Sequence, residues 1–161
     1  MSPNEEKANI VKVLLERTIQ KEEELRAYSK SAQERANEAE GAMKSRYDTF
    51  KEEGQYLASG LIAKHEDAKR SLSVIKSILD LSEFGESIVV ELCSIVTVEL
   101  EDGDQKEFFL FPILGGEKIG ETTVISPSSP IGKALIGKIK GDGFSFIVGK
   151  KLTEGEVTNV R

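Results

Sequence analysis

The sequence predicts an α+β protein: an N-terminal antiparallel α-helical coiled-coil hairpin followed by a small, mostly antiparallel β-sheet domain with one short helix. Three observations carry this. Folding the first half back at Met43 pairs apolar residues in a single register: Val11 with Ile75, Leu14 with Leu72, Leu25 with Leu61, Ala36 with Phe50 and Ala39 with Tyr47. After Leu81 the pattern changes to short β-branched or aromatic runs separated by turn residues. Charged residues make up 31% of the chain, a load that suits a solvent-exposed coiled coil better than a compact globule.

The first helix opens at Ser2-Pro3-Asn4-Glu5-Glu6, where a hydroxyl cap, a proline in the first turn and two carboxylates suit the positive helix end. Its heptad seam is read as Val11, Leu14, Thr18, Lys21, Leu25, Tyr28, Ala32, Arg35 and Ala39. Gly41 breaks it, and a second helix over 44–81 carries the facing seam: Tyr47, Phe50, Gly54, Leu57, Leu61, Lys64, Ala68, Leu72, Ile75 and Ile78. Tyr28 falls one position from Leu57, and Lys21 lies opposite Lys64 and His65. That like-charged layer is expected to splay outward as a soft point. His65, the only histidine, is expected at the surface, since one isolated ligand rarely makes a metal site.

Strands are expected over 88–92, 94–100, 107–112, 121–125, 144–148 and 156–160, with a hairpin turn at Gly115-Gly116-Glu117-Lys118-Ile119-Gly120. Pro130 opens a short helix whose apolar face is Ile131, Ala134, Leu135 and Ile136, and Gly137 ends it. The division is therefore a hairpin over 1–81, with its tip at 40–46, and a compact domain over 83–161.

Composition excludes several functions. Residues 1–82 carry a net charge of −1 and residues 83–161 one of −5, so neither half has the basic footprint of a nucleic-acid binder. The single cysteine, Cys93, rules out a disulfide framework or a cysteine metal cluster and reads as a small buried hydrophobe. No apolar stretch reaches the length of a membrane span or a signal peptide, so a cytoplasmic chain with no membrane partner is expected. There is no phosphate-binding loop, and Ser126, Ser128 and Ser129 stand in no nucleophile elbow. Lys133, Lys138, Lys140, Lys150 and Lys151 give the last third a modest basic face, read as solvated.

The most specific stretch runs from Thr122 to Asp142. Its Ser129-Pro130-Ile131, Ala134-Leu135-Ile136-Gly137-Lys138 and Gly141-Asp142 resemble the C-terminal domain of the bacterial transcript cleavage factors GreA and GreB. Ser94-Ile-Val-Thr-Val-Glu-Leu100 resembles that domain's first long strand, and Tyr47 followed by Lys51-Glu52-Glu53 fits the family's hairpin. The resemblance implies an FKBP-like C-terminal domain that docks at the rim of the RNA polymerase secondary channel, here through Ser129, Pro130, Ile131 and Lys133. It implies a coiled coil that reaches through the channel; from Val11 to Met43 the helix is about 48 Å long at 1.5 Å per residue.

The family's tip carries two acids that help hold a second Mg²⁺ of the polymerase for hydrolysis of backtracked RNA. The corresponding positions here are Glu40 and Met43. One acid is kept as glutamate and the other is replaced by a thioether, a poor ligand for Mg²⁺. Lys44 and Arg46 add positive charge, and Glu38 lies one turn below. The resemblance thus implies a monomer with RNA polymerase as its partner and nucleic acid met only indirectly. It further implies no enzymatic activity of its own and no cofactor in the free protein, with Glu40 sharing Mg²⁺ only inside the complex. Two rival readings are a coiled-coil adaptor for another protein and a peptidyl-prolyl isomerase using Phe108, Phe109 and Phe111.

Overall fold

The computed structural model describes residues 2–38, 47–81 and 84–161, with side chains described for 2–35, 52–80 and 84–161. The chain divides into two units, Val11–Leu81 and a second made of Met1–Ile10 with Ser82–Arg161.

The first unit is the helical hairpin, formed by α1 (Pro3–Glu38) from Val11 onward and α2 (Tyr47–Leu81). Helix α1 starts as its sequence dictates. The Ser2 hydroxyl accepts from the Glu5 amide at 3.3 Å while the Glu5 carboxylate accepts from the Ser2 amide at 2.8 Å, a reciprocal cap. Val11, Leu14, Thr18, Ala68 and Ile75 are buried, as the expected register requires.

Further along, the seam departs from a strict heptad. Tyr28 and Leu57 are 64% and 61% exposed, and the buried positions are instead Glu22 and Ser29 on α1 and Ala58 on α2. A straight α-helix turns in 3.6 residues, so a seven-residue repeat drifts across its surface. Stepping by four from Thr18 to Glu22, and again from Leu25 to Ser29, recentres the seam. Lys21 and Lys64 are exposed, as expected, and the layer they leave is closed by Glu22 and His65. His65 Nε2 lies 2.7 Å from Glu22 Oε1, with side chains only 12% and 10% exposed, so His65 is no surface residue. Arg26 Nη2 donates to the other Glu22 oxygen at 3.2 Å, and these two partners hold the Glu22 carboxyl below its ordinary range. Glu22→Leu, which leaves His65 without its acceptor, is expected to lower hairpin stability, read as a lower thermal midpoint by circular dichroism.

The second unit is a six-stranded mixed sheet in the order β3-β4-β2-β1-β6-β5. Its strands are β1 (Ile95–Leu100), β2 (Gln105–Leu110), β3 (Lys118–Ile119), β4 (Thr122–Ile125), β5 (Gly143–Val148) and β6 (Lys151–Val160). All neighbours are antiparallel except β2 and β4, which run parallel with Phe109 beside Val124. The expected glycine turn holds β3, paired with β4 as Ile119 to Thr122 across Gly120, whose φ is +61°. The strand expected at 88–92 is reduced to one bridge, Val89 with Ile139. Val90 is buried in the core, while Ile88 and Leu92 are 81% and 50% exposed.

Alternation along the strands gives the sheet two different faces. One packs Val96, Val98, Phe108, Leu110, Phe144 and Val157 with Leu135 of α3 (Pro130–Leu135). Ile95, Phe109 and Phe111 point the other way and are fully buried. Thr97, Glu107 and Arg161 share that second side with Glu6 of α1. Lys7 is also buried in this unit, its ammonium donating to the Gly85 carbonyl at 2.8 Å while burial pushes its pKa down. These bonds explain why the first turns of α1 group with the sheet.

Candidate functional site

The segment 126–142 is built around one serine. Ser129 caps α3: its hydroxyl donates to the Ser126 carbonyl at 2.6 Å and accepts from the Gly132 amide at 3.1 Å. Pro130 occupies the first helical position, where its missing N–H costs nothing. Its ring is exposed, next to half-buried Ile131 and exposed Lys133. Ser126 and Ser128 join hydroxyls at 2.9 Å. At the far end, Gly137 at φ +77° donates to the Val90 carbonyl at 2.8 Å and the Lys138 carbonyl accepts from Val90 at 2.8 Å. Asp142 accepts from the Ile139 amide at 3.0 Å, closing the exit turn. The four residues expected to dock a partner, Ser129, Pro130, Ile131 and Lys133, thus stand together on a loop and helix start fixed at both ends.

Beside this loop Ile131 shares a groove of about 290 Å³ with Leu100, Phe108, Phe146 and Leu152. Lys106, Lys151, Glu101, Asp102 and Glu154 also line it. The arrangement offers an apolar floor with charges of both signs around it, suited to a protein surface more than to a small anion. Of the three phenylalanines expected at a groove, Phe108 lines it; Phe109 and Phe111 are stacked 5.5 Å apart on the other side of the sheet.

Acidic residues cluster on the neighbouring strands. Glu99 pairs directly with Glu156, and Glu101 lies against Glu154, whose carboxyl raises the pKa of Glu101 by hydrogen bonding and repulsion. A carboxyl whose folded pKa is raised is a stabilising presence at low pH and a destabilising one once pH has risen through that value. Glu154→Gln is therefore expected to raise the thermal midpoint at pH 7 and to lose that advantage near pH 4, measured by circular dichroism.

Glu40, Met43, Lys44 and Arg46 lie outside the described residues, and Glu38 ends α1 with its side chain outside them too. Among the described residues no group of His, Cys, Asp or Glu could hold a metal ion, and no helix is long and apolar enough to cross a membrane. Cys93 is half-buried at a backbone φ of +66°, and burial pushes its thiol pKa up. Sequence reasoning missed Arg161, which lies 155 residues from its carboxylate partner Glu6 and carries no local signal.

A family model described as the C-terminal domain of transcription elongation factor GreA/GreB matches residues 86–161. Among solved structures, the chain is similar to GreA factor homolog 1 (Gfh1) of Thermus thermophilus at 22% identity, covering 91% of this chain and 94% of that one with a TM-score of 0.41. Gfh1 of Thermus aquaticus matches at 21% identity over 91% and 92% with a TM-score of 0.41. GreA/GreB from Nitrosomonas europaea matches at 23% identity over 53% and 74% with a TM-score of 0.38. No curated protein matches the chain significantly.

Proposed function

We propose, from the match of residues 86–161 to the GreA/GreB C-terminal domain, that this chain is a GreA/GreB-type elongation factor that binds RNA polymerase at the secondary channel and reaches toward the active site with its hairpin. The observation that carries the proposal is the family match over 86–161, whose Ser129–Ile131 segment is held rigid by the cap and leaves Pro130 facing solvent. The protein acts on the polymerase and performs no chemistry alone. Nucleic acid is met only inside the elongation complex.

The tip sequence sets the kind of effect. Mg²⁺ asks for hard oxygen ligands, and a carboxylate pair can complete its shell when the polymerase supplies the rest. Here Glu40 is a carboxylate, Met43 is a thioether, and Lys44 and Arg46 repel a cation. The factor therefore occupies the channel and modulates elongation and pausing, with weak stimulation of RNA cleavage.

Transcript cleavage in stalled, backtracked complexes tests this. The wild-type chain is expected to bind polymerase yet leave cleavage close to its intrinsic rate. Met43→Glu is expected to raise cleavage by about tenfold or more, because it supplies the second carboxylate. Robust wild-type cleavage that disappears in Glu40→Ala would overturn the altered-tip reading. Pro130→Ala, at an exposed position that keeps the cap intact, is expected to weaken polymerase binding by about tenfold in a fluorescence-anisotropy titration, as loss of a docking contact does.

A further inference from the structure

Helix α2 leaves part of its apolar surface exposed beside half-buried Leu61. Tyr56 and Leu57 are 85% and 61% exposed, and with Gly60 and Leu61 they form an apolar groove ended by Glu53 and Lys64. Neither Glu53 nor Lys64 has an ion-pair partner among the described residues. A Cβ on Gly60 would meet nothing within 4 Å. A glycine in a helix interior loosens the helix, and nothing inside the hairpin gains from this one. Its use lies in what approaches from outside.

Glu53, Leu57, Gly60 and Lys64 are spaced four, three and four residues apart, the step of a coiled-coil seam. Turned antiparallel against itself, this seam is complementary in both shape and charge. Leu57 then meets Gly60 of the second copy, a knob over an empty socket. Glu53 meets Lys64 of the second copy, and Tyr56 meets Leu61. A two-fold axis makes each contact twice. A parallel pairing would set Leu57 on Leu57, glycine on glycine and like charges on like charges, so the pattern selects the antiparallel arrangement.

We infer that this face of α2 binds a second copy of the chain as an antiparallel, two-fold dimer, in place of the monomer expected from the sequence. The patch is smaller than the roughly 800 Å² per partner of a standard interface, so the dimer is weak and forms at high local concentration. The inference stands on the groove alone and does not depend on any action at polymerase.

Analytical ultracentrifugation of the full chain up to about 1 mM tests it, with charge exchange as the diagnostic. Wild type is expected to move from monomer to dimer across that range. Glu53→Lys alone and Lys64→Glu alone each turn two attractions into two repulsions and are expected to weaken association about tenfold. The double variant restores it, and an equimolar mixture of the two single variants associates more tightly than either by itself. Gly60→Leu fills the socket and is expected to abolish the dimer while helix content by circular dichroism is kept or rises, which separates a lost interface from a lost fold. A chain that stays monomeric up to about 1 mM, a double variant no better than the single ones, or a Gly60→Leu chain that dimerises like wild type would overturn the proposal.

Discussion

Gly132→Ala is expected to destabilise the sheet domain by about 3 kcal/mol, the upper range for forcing an atom into filled space. A Cβ at this position would lie 1.9 Å from the Ser126 carbonyl oxygen and 2.9 Å from both the Ser126 carbonyl carbon and the Ser129 hydroxyl. Two of these three atoms are backbone, and the third is the capping hydroxyl, so no flexible side chain can give way. The loop must open, which breaks the bonds from Ser129 to Ser126 and from Gly132 to Ser129. The mutation thus strikes the proposed docking loop and the fold together. The protein has no tryptophan, and its three tyrosines all lie in the hairpin. Amide hydrogen exchange across β4, α3 and β5 is therefore the direct readout; faster exchange there with unchanged protection in 11–35 and 52–80 is the expected result.

Arg161→Ala is expected to cost about 2 kcal/mol, less than the removal of one partner from a fully buried ion pair because these groups keep some contact with water. Arg161 holds Glu6 through two bonds, Nε to Oε2 at 3.0 Å and Nη2 to Oε1 at 2.9 Å, and also donates to Glu107 at 2.6 Å. Its own side chain is 23% exposed and those of Glu6 and Glu107 are 34% and 23% exposed. Truncation leaves two half-buried carboxylates facing each other without a cation. The effect is pH-dependent with a definite sign. The Arg161 guanidinium holds the Glu6 carboxyl below its ordinary value of 4.5. Stability from a depressed carboxyl is present above the unfolded value and is lost as pH falls through the lower, folded one. Urea denaturation at pH 7 should therefore separate wild type from Arg161→Ala clearly, and the gap should shrink as pH is taken below about 4.5. Arg161→Lys is expected to fall between them, since an ammonium cannot bind Glu6 in the same forked geometry.

What the sequence made legible follows from which interactions are local. The hairpin and the helix at Pro130 are written in spacing and caps. Ser2 and Gly137 each act within a few residues and behave as expected, and the Ser129 cap, seen only in the structure, is equally local. The seam is legible near its base but loses phase at Glu22 and Ser29, because a fixed heptad cannot represent the drift of a 3.6-residue turn. The run 88–92 is as β-branched as a strand, yet a strand needs a neighbour along its length, and here a single bridge, Val89 with Ile139, forms. Lys118-Ile119 is short enough to vanish into its glycine turn and pairs only because Gly120 adopts a positive φ. The Arg161 cluster joins both ends of the chain, and no window of sequence contains both partners. Of the proposed site, the docking loop is legible as a motif, while the groove beside it arises from Leu100, Phe108, Phe146 and Leu152 on four separate strands and is visible only once they pair.

Entry of the hairpin tip into the polymerase toward its active site is checked by a photo-crosslinking amino acid at position 43, in the full chain bound to core RNA polymerase and mapped by mass spectrometry. Crosslinks to polymerase segments beside the catalytic Mg²⁺, reduced in parallel with binding by Pro130→Ala, are expected. Crosslinks confined to the outer surface of the enzyme, or none under conditions where the complex is formed, would mean that the tip does not enter.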